Sequence, residues 1–189
     1  MEAKKRHSHI QLAHSYWKNH LQNDSQHTSW AIDATCGNGH DTHFLAKICE
    51  GVISIDIQEK AIENAKQTAE SSNIFYFCQS HENYPTLAYE NPISLIVYNL
   101  GYLPGGDKGL TTLTPSTLSS LELAMDLLAS GGLISITCYP GHLEGKAEEK
   151  ALISLAEGLD VKLWNVCHHR WLNRKDAPSL LLLQKNPIN

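Results

Sequence analysis

The sequence predicts an α/β fold built on a mostly parallel sheet. Two features carry that prediction: short β-branched runs alternate with amphipathic stretches from residue 29 onward, and the last two apolar runs are separated by a short polar stretch with no helical pattern. Alternating strands and helices favour parallel strands joined by right-handed crossovers, because each helix must pack back over the sheet it leaves. The closing pair has no helix between its members and is expected to run antiparallel. A length of 189 residues suits one domain and is enough to bury a substantial core.

Each element has its own signal. Ile10, Ala13, His14, Trp17 and Leu21 share one helical face, so residues 8–22 are expected to form an opening helix. That helix belongs to an N-terminal extension (1–28) packed on a single domain spanning 1–189. SWAIDA (29–34) is a short apolar run ending in an acid before glycines, and is read as a buried first strand. A helix is expected over 41–48, and the β-branched run GVISIDI (51–57) is the second strand. Ala61, Ile62, Ala65 and Ala69 line one face of a helix over 59–70, followed by strands NIFYFC (73–78) and ISLIVYN (93–99). A glycine- and proline-rich loop covers 100–115. Leu121, Ala124, Met125 and Leu128 then mark a helix stopped by Gly131-Gly132. GLISITC (132–138) is the fifth strand, Leu152, Leu155, Ala156 and Leu159 mark another helix, and VKLWNVCHH (161–169) and SLLLLQK (179–185) close the chain. A seven-stranded, mostly parallel sheet with an antiparallel last strand is the pattern of a Rossmann-like methyltransferase, and it disfavours a simple flavodoxin fold.

Composition excludes several classes. The chain is 42% hydrophobic and 19% charged, with mean hydropathy −0.29, which is neither disordered nor low-complexity sequence. No apolar run approaches the roughly 18 to 20 residues of a membrane span. The opening residues lack the apolar stretch of a secretory signal, so a cytoplasmic protein with no membrane partner is expected. A net charge of −5 differs from that of a strongly basic nucleic-acid binder but leaves room for a local patch. The 5 cysteines have no CxxC spacing and the 11 histidines scatter without HExxH, so neither a disulfide framework nor a metal site is expected.

The sharpest local signal is DATCGNGHDT (33–42), between the first strand and a helix. Glycines there allow a tight turn and close approach to a ligand. Asp56 ends the second strand, 19 positions after Gly37, where an acid can hydrogen-bond a ribose diol. A dinucleotide site prefers GxGxxG, whereas Gly37-x-Gly39 is followed here by Thr42. Asp33, just before the loop, would sit badly beside a pyrophosphate but suits the ammonium of a methionine moiety. S-adenosylmethionine is therefore favoured over NAD. The bland alternative is a tight turn with Asp41 and Thr42 as helix-start residues. Gln58 could cover the ribose or adenine, and Ser80 and His81, after the third strand, could bond the adenine edge or the cofactor carboxylate. Ordinary polar turns are the competing account.

Asn99-Leu100-Gly101-Tyr102 leaves the carboxyl end of the fourth strand, where open α/β sheets bind ligands. Amino-group methyltransferases often carry Asn/Asp-Pro-Pro-aromatic here, and Asn99 and Tyr102 have the right types at the right spacing. The polar side chain accepts a hydrogen bond from the target amine while the aromatic ring stacks on the base. Methyl transfer from a sulfonium mainly requires alignment, and the amine must be neutral to attack. His142, in Tyr139-Pro140-Gly141-His142 after the fifth strand, could orient the acceptor or take a proton.

Together these motifs resemble the MnmM/YtqB family of S-adenosylmethionine-dependent methyltransferases. The resemblance is carried by DATCGNGHDT (33–42), IDIQ (55–58), SHENYP (80–85), NLGYLPGGDK (99–108) and YPGH (139–142), and it covers almost the whole chain. It implies methylation of the amine of 5-aminomethyl-uridine at the tRNA wobble position, with or without 2-thiolation. It maps the cofactor pocket onto Asn38, Asp41, Asp56, Gln58, Ser80 and His81, beside Asp33, Gly37 and Gly39 of the glycine loop. The acceptor side falls on the NLGYLPGGDK and YPGH loops, including Gly101, Asp107, Lys108 and Tyr139. Near the end, residues 173–178 keep only one proline of the family's Pro-Pro stretch. Lys4, Lys5, Arg6, Lys108, Lys146, Arg170, Arg174 and Lys175 are candidate phosphate contacts for the tRNA anticodon region, with Trp171 able to stack on a base. A homodimer is compatible with the sequence.

Three functions stay open at this point. They are a wobble-uridine N-methyltransferase, a methyltransferase of small amines or of another RNA site, and a non-catalytic module that keeps the fold.

Overall fold

The computed structural model describes residues 9–23, 29–68, 71–101 and 111–187. Its strands are β1 (Trp30–Asp33), β2 (Gly51–Asp56), β3 (Ile74–Cys78), β4 (Ile93–Asn99), β5 (Leu133–Cys138), β6 (Trp164–His169) and β7 (Ser179–Lys185). They form one sheet in the order β3-β2-β1-β4-β5-β7-β6. The β1–β2, β1–β4, β2–β3 and β4–β5 pairs are parallel, while β7 runs antiparallel to both β5 and β6. The expected sheet, antiparallel last strand included, is present.

The helices are α1 (His9–Asn23), α2 (His40–Leu45), α3 (Glu59–Thr68), α4 (Thr86–Tyr89), α5 (Thr114–Leu127) and α6 (Leu143–Glu157). Alternate residues of each central strand feed two cores, as the two-residue strand period requires. Ile96 and Tyr98 of β4 pack with Leu121, Ala124, Leu152 and Ala156 from α5 and α6. Leu95 and Val97 face the other way, onto Ala13, Trp17 and Leu21 of α1 and Leu45 of α2. The opening helix is therefore a structural layer, and its buried residues follow a four-residue spacing. Ile10, expected on the same face, is 38% exposed.

Local differences from the sequence expectation have local causes. Helix α2 ends at Leu45, and hydrogen-bonded turns continue it as Cys49 N–H donates to the Leu45 carbonyl. Strand β6 starts three residues late because Asp160 organises a turn, accepting Lys162 N–H on its carboxylate and Leu163 and Trp164 N–H on its carbonyl. Helix α4 is four residues long and leaves no periodic signal. Residues 69–70 of the expected third helix lie outside the described residues. No described helix is long and apolar enough to cross a membrane.

Strand order reverses between β1 and β4, which run side by side although two strands separate them in sequence. At such a switch point the loops leaving neighbouring strands diverge and open a crevice beyond their carboxyl ends. Asp33, Asp56, Asn99 and Cys138 end β1, β2, β4 and β5, and so stand at that rim.

Candidate functional site

A cavity of about 960 Å³ opens at this rim. Its charge is one-sided: Asp41, Asp56, Glu82 and Asp176 line it, with no lysine or arginine among the described lining residues.

On the β2 side the backbone organises the wall. Asp56 accepts hydrogen bonds from Gly37 N–H at 2.8 Å and Gln58 N–H at 2.9 Å, one on each carboxylate oxygen. Each oxygen has a second lone pair, so the held carboxylate can still accept from a ligand. Gln58, Asn38, Ser80, His81 and the exposed Ile57 share this wall. Ser80 is bonded to Glu82, whose backbone N–H and carboxylate both meet its hydroxyl. His81 Nε2 is buried without a hydrogen-bond partner among the described residues, and burial holds this imidazole below its usual pKa against the pull of the Ala34 carbonyl, Glu82 and Asp56. A neutral imidazole with one open nitrogen suits a hydrogen bond to a heterocycle edge.

Two residues expected on this wall stand behind it. Asp33 is fully buried and absent from the cavity lining. Its carboxylate accepts from the Thr42 hydroxyl at 2.6 Å and Thr35 N–H at 3.2 Å, so it braces the turn into α2. Burial pushes its pKa up to about 7, the Asp41 charge adds to that, and the Thr42 and Thr35 bonds oppose it. Gly39 is also buried and off the lining. At φ +79°, a Cβ on it would lie 2.7 Å from Ala65 Cβ. This glycine serves the packing of α2 against α3, and the cavity-lining glycine of the pair is Gly37.

On the β4–β5 side, side chains do the organising. Asn99 Nδ2 donates to Asp41 Oδ2 at 3.2 Å, while Asn99 Oδ1 is buried with no hydrogen-bond partner among the described residues. Asp41 is thus a wall residue at the β1–β4 junction, beside the expected acceptor group. Tyr139 lines the same region, and burial, aided by the Asp41 charge and opposed by Asn99, pushes its hydroxyl up to about 12. It stays protonated at neutral pH and can act only as a neutral donor or acceptor. His142 caps α6, its Nδ1 accepting Gly145 N–H at 3.1 Å. A Cβ on Gly145 would fall 2.1 Å from the Tyr139 carbonyl oxygen, which explains the glycine three residues after His142.

Gly101 and Thr112 clasp each other through two hydrogen bonds. Gly101 N–H donates to Thr112 Oγ1 at 2.9 Å, and Thr112 N–H donates back to the Gly101 carbonyl at 3.0 Å. Thr112 and Thr117 both donate to Glu148, a 2% exposed carboxylate on α6 whose pKa burial raises. Glu144 accepts from Thr114 at its backbone and its hydroxyl. Tyr102, Asp107 and Lys108, expected on the acceptor side, lie outside the described residues, as do Lys4, Lys5 and Arg6. Gly101 itself lines the cavity.

Of the basic surface candidates, Lys146 pairs with Asp176 at 3.1 Å, and Arg174 lies over the Trp171 ring at 4.6 Å. Arg170 and Trp171 line a small cavity of about 70 Å³ with His9 and Pro178.

The sequence reading missed two site contacts, both made by α1. His14 Nε2 is 2.7 Å from Asp41 Oδ1, and His9 Nε2 is 2.9 Å from the Tyr139 hydroxyl. The available signal was a histidine on an otherwise apolar helical face. Thr35, whose hydroxyl accepts Asn99 N–H at 2.7 Å, was also missed.

Known proteins bear on this geometry. The sequence pattern of the family described as "Putative rRNA methylase" matches residues 52–185. A chloroplastic tRNA (mnm(5)s(2)U34)-methyltransferase of Arabidopsis thaliana is 35% identical over 193 residues, covering 93% of this chain and 68% of that protein. The crystal structure of a putative rRNA-methylase from Clostridium thermocellum superimposes with TM-score 0.85 at 30% identity, over 95% of this chain and 98% of that one. A putative methyltransferase from Streptococcus mutans, solved with SAH, gives TM-score 0.80 at 30% identity, over 93% and 97% of the two chains. With matches spanning the glycine loop, the switch-point cavity and the closing antiparallel strands, this chain belongs to the rRNA methylase family and has its Rossmann-like methyltransferase fold.

Proposed function

We propose that this chain is an S-adenosylmethionine-dependent N-methyltransferase that converts 5-aminomethyl(-2-thio)uridine at the tRNA wobble position to 5-methylaminomethyl(-2-thio)uridine. The observation that carries the reading is Asn99 on the wall of an acid-lined cavity, its Oδ1 buried with no hydrogen-bond partner among the described residues. A buried acceptor without a partner is costly, so a ligand N–H there is favoured. The Arabidopsis relative, a tRNA (mnm(5)s(2)U34)-methyltransferase by name, supports the substrate. The Streptococcus mutans relative with SAH supports the cofactor.

The residues fit that cofactor. Carboxylates with no lysine or arginine among the described lining suit a cationic sulfonium and ammonium and would repel a pyrophosphate. Asp56 would hold the ribose hydroxyls, Ile57 and His81 would border the adenine, and Asp41 would face the ammonium. When bound, S-adenosylmethionine supplies an electrophilic methyl group. Asn99 Oδ1 would accept one N–H of the acceptor amine, holding its nitrogen for attack. The neighbouring carboxylates would draw the amine in as a cation, and the proton it sheds leaves toward that acidic wall. His142, whose Nδ1 accepts Gly145 N–H at the start of α6, lines the cavity near Tyr139 and would position the acceptor.

Nucleoside mass spectrometry tests the reading. The protein, S-adenosylmethionine and tRNA carrying 5-aminomethyl-uridine should yield that nucleoside with one added methyl. No gain, with cofactor binding intact, would favour the second reading, a small amine. The same acidic lining supports that alternative, because it offers a nucleic-acid phosphate no described cation.

A further inference from the structure

We propose that His14 is a positioning residue of this site. From α1 it fixes the Asp41 carboxylate and, through it, the orientation of the Asn99 amide. The N-terminal helix is then a working part of the cavity wall. The inference rests on the reading that the cavity binds S-adenosylmethionine and an amine.

Three elements meet on one carboxylate. His14 Nε2 lies 2.7 Å from Asp41 Oδ1, and Asn99 Nδ2 donates to Asp41 Oδ2 at 3.2 Å. An exposed ion pair contributes little, because two long side chains must be held in one geometry against water. This pair differs: its side chains are 22% and 11% exposed. The imidazole is also clamped. It stacks on Phe44 with centroids 3.9 Å apart and 13° between planes, and tilts against Trp17 at 4.8 Å. Trp17 is 2% exposed in the core beneath, so the rotation of α1 is fixed where His14 leaves it.

The geometry dictates the consequence. An amide has a donor end and an acceptor end of nearly equal shape, and only its partners decide which faces where. Asp41 can only accept, so it selects Asn99 Nδ2 and leaves Oδ1 as the amide's unused acceptor beside the cavity. Were Asp41 free to rotate, that selection would weaken, and the amide could present its NH₂ to an incoming amine. His14 holds Asp41 by its other oxygen, which preserves the choice. The preceding turn of α1 repeats the device, with His9 Nε2 2.9 Å from the Tyr139 hydroxyl and the rings edge-on at 5.3 Å.

Two variants test this. His14→Phe keeps a ring against Phe44 and Trp17 but has no hydrogen-bond donor; His14→Gln restores one. His14→Phe is expected to keep a Tm close to that of the wild type, weaken S-adenosylhomocysteine binding about ten-fold by calorimetry, and lower kcat on aminomethyl-uridine tRNA by roughly ten- to a hundred-fold. His14→Gln should recover most of both losses. Wild-type affinity and kcat in His14→Phe would overturn the proposal. Equal losses in both variants with a parallel fall in Tm would also overturn it, since they would reveal a purely structural helix. A wild-type protein that does not bind S-adenosylhomocysteine would instead overturn the underlying reading, and the proposal with it.

Discussion

The two halves of the cavity are built by different means. Around β1 and β2 the partners are main-chain groups of the two adjacent loops that leave these strands, such as Gly37 N–H and Gln58 N–H on Asp56. Around β4 and β5 they are side chains from distant elements. His14 reaches Asp41, His9 reaches Tyr139, and Thr112 reaches Glu148 across 27, 130 and 36 positions. A backbone-built wall depends on what a residue lacks, above all a Cβ. A side-chain-built wall depends on what each residue carries. The two halves should therefore fail differently under mutation.

The largest effect is expected in the backbone-built half. Gly39→Ala would force a Cβ to 2.7 Å from Ala65 Cβ at φ +79°. Overpacking and left-handed strain together should cost about 3 kcal/mol or more, read as a lowered midpoint in urea denaturation. A stability within about 0.5 kcal/mol of wild type would mean that α3 yields easily and this wall is not rigid.

The functional contrast comes next. Asp56→Ala should raise the Kd for S-adenosylhomocysteine about a hundred-fold, because charge-assisted bonds to a ribose are lost. Asn99→Ala should change that Kd by no more than about five-fold while lowering turnover at least about ten-fold. Loss of cofactor binding in Asn99→Ala would erase the division into a donor side and an acceptor side.

This division also tracks how much the sequence revealed. The strands, their antiparallel close and the placing of Gly37 and Asp56 at one rim were legible because they depend on local pattern: β-branched runs, glycines and an acid at a fixed spacing. Asp33 and Gly39 show the limit even there. Their residue types suit a ligand, but burial turned Asp33 toward Thr42 and packing turned Gly39 toward Ala65. The α1 contacts were illegible because no local rule joins position 14 to position 41; only the packing of Trp17 and Leu21 into the sheet brings them together. His14 was noticed on the apolar face, and the face alone does not say which carboxylate it meets.

A smaller effect is expected from Glu148→Gln. Thr112 and Thr117 both donate to this carboxylate, and an amide offers only one acceptor oxygen. One hydroxyl must turn, loosening the Gly101–Thr112 clasp. The loss should be about 1–2 kcal/mol, seen as a several-fold higher KM for tRNA with S-adenosylhomocysteine affinity unchanged. A change in cofactor affinity instead would tie α6 to the donor side.

The smallest effect separates a buried brace from a ligand contact. Asp33 titrates near pH 7 when folded against 3.8 in its ordinary setting. Between those values the folded state holds more protons than the unfolded chain, so stability falls as pH rises, by up to about 1.4 kcal/mol per pH unit. The contribution is complete below the lower value and lost above the upper one. Asparagine cannot ionise and can still accept from Thr42. Asp33→Asn should therefore match or fall slightly below wild type at about pH 5, and exceed it by about 2–3 kcal/mol at about pH 8. Urea denaturation of both proteins across that range gives the difference directly. A constant difference would mean that Asp33 is ionised throughout, and its carboxylate would again be a candidate for meeting a cationic ligand. A difference that grows with pH while S-adenosylhomocysteine affinity stays level would keep Asp33 behind the wall, and would leave Asp41, held by α1, as the acid that faces the cofactor.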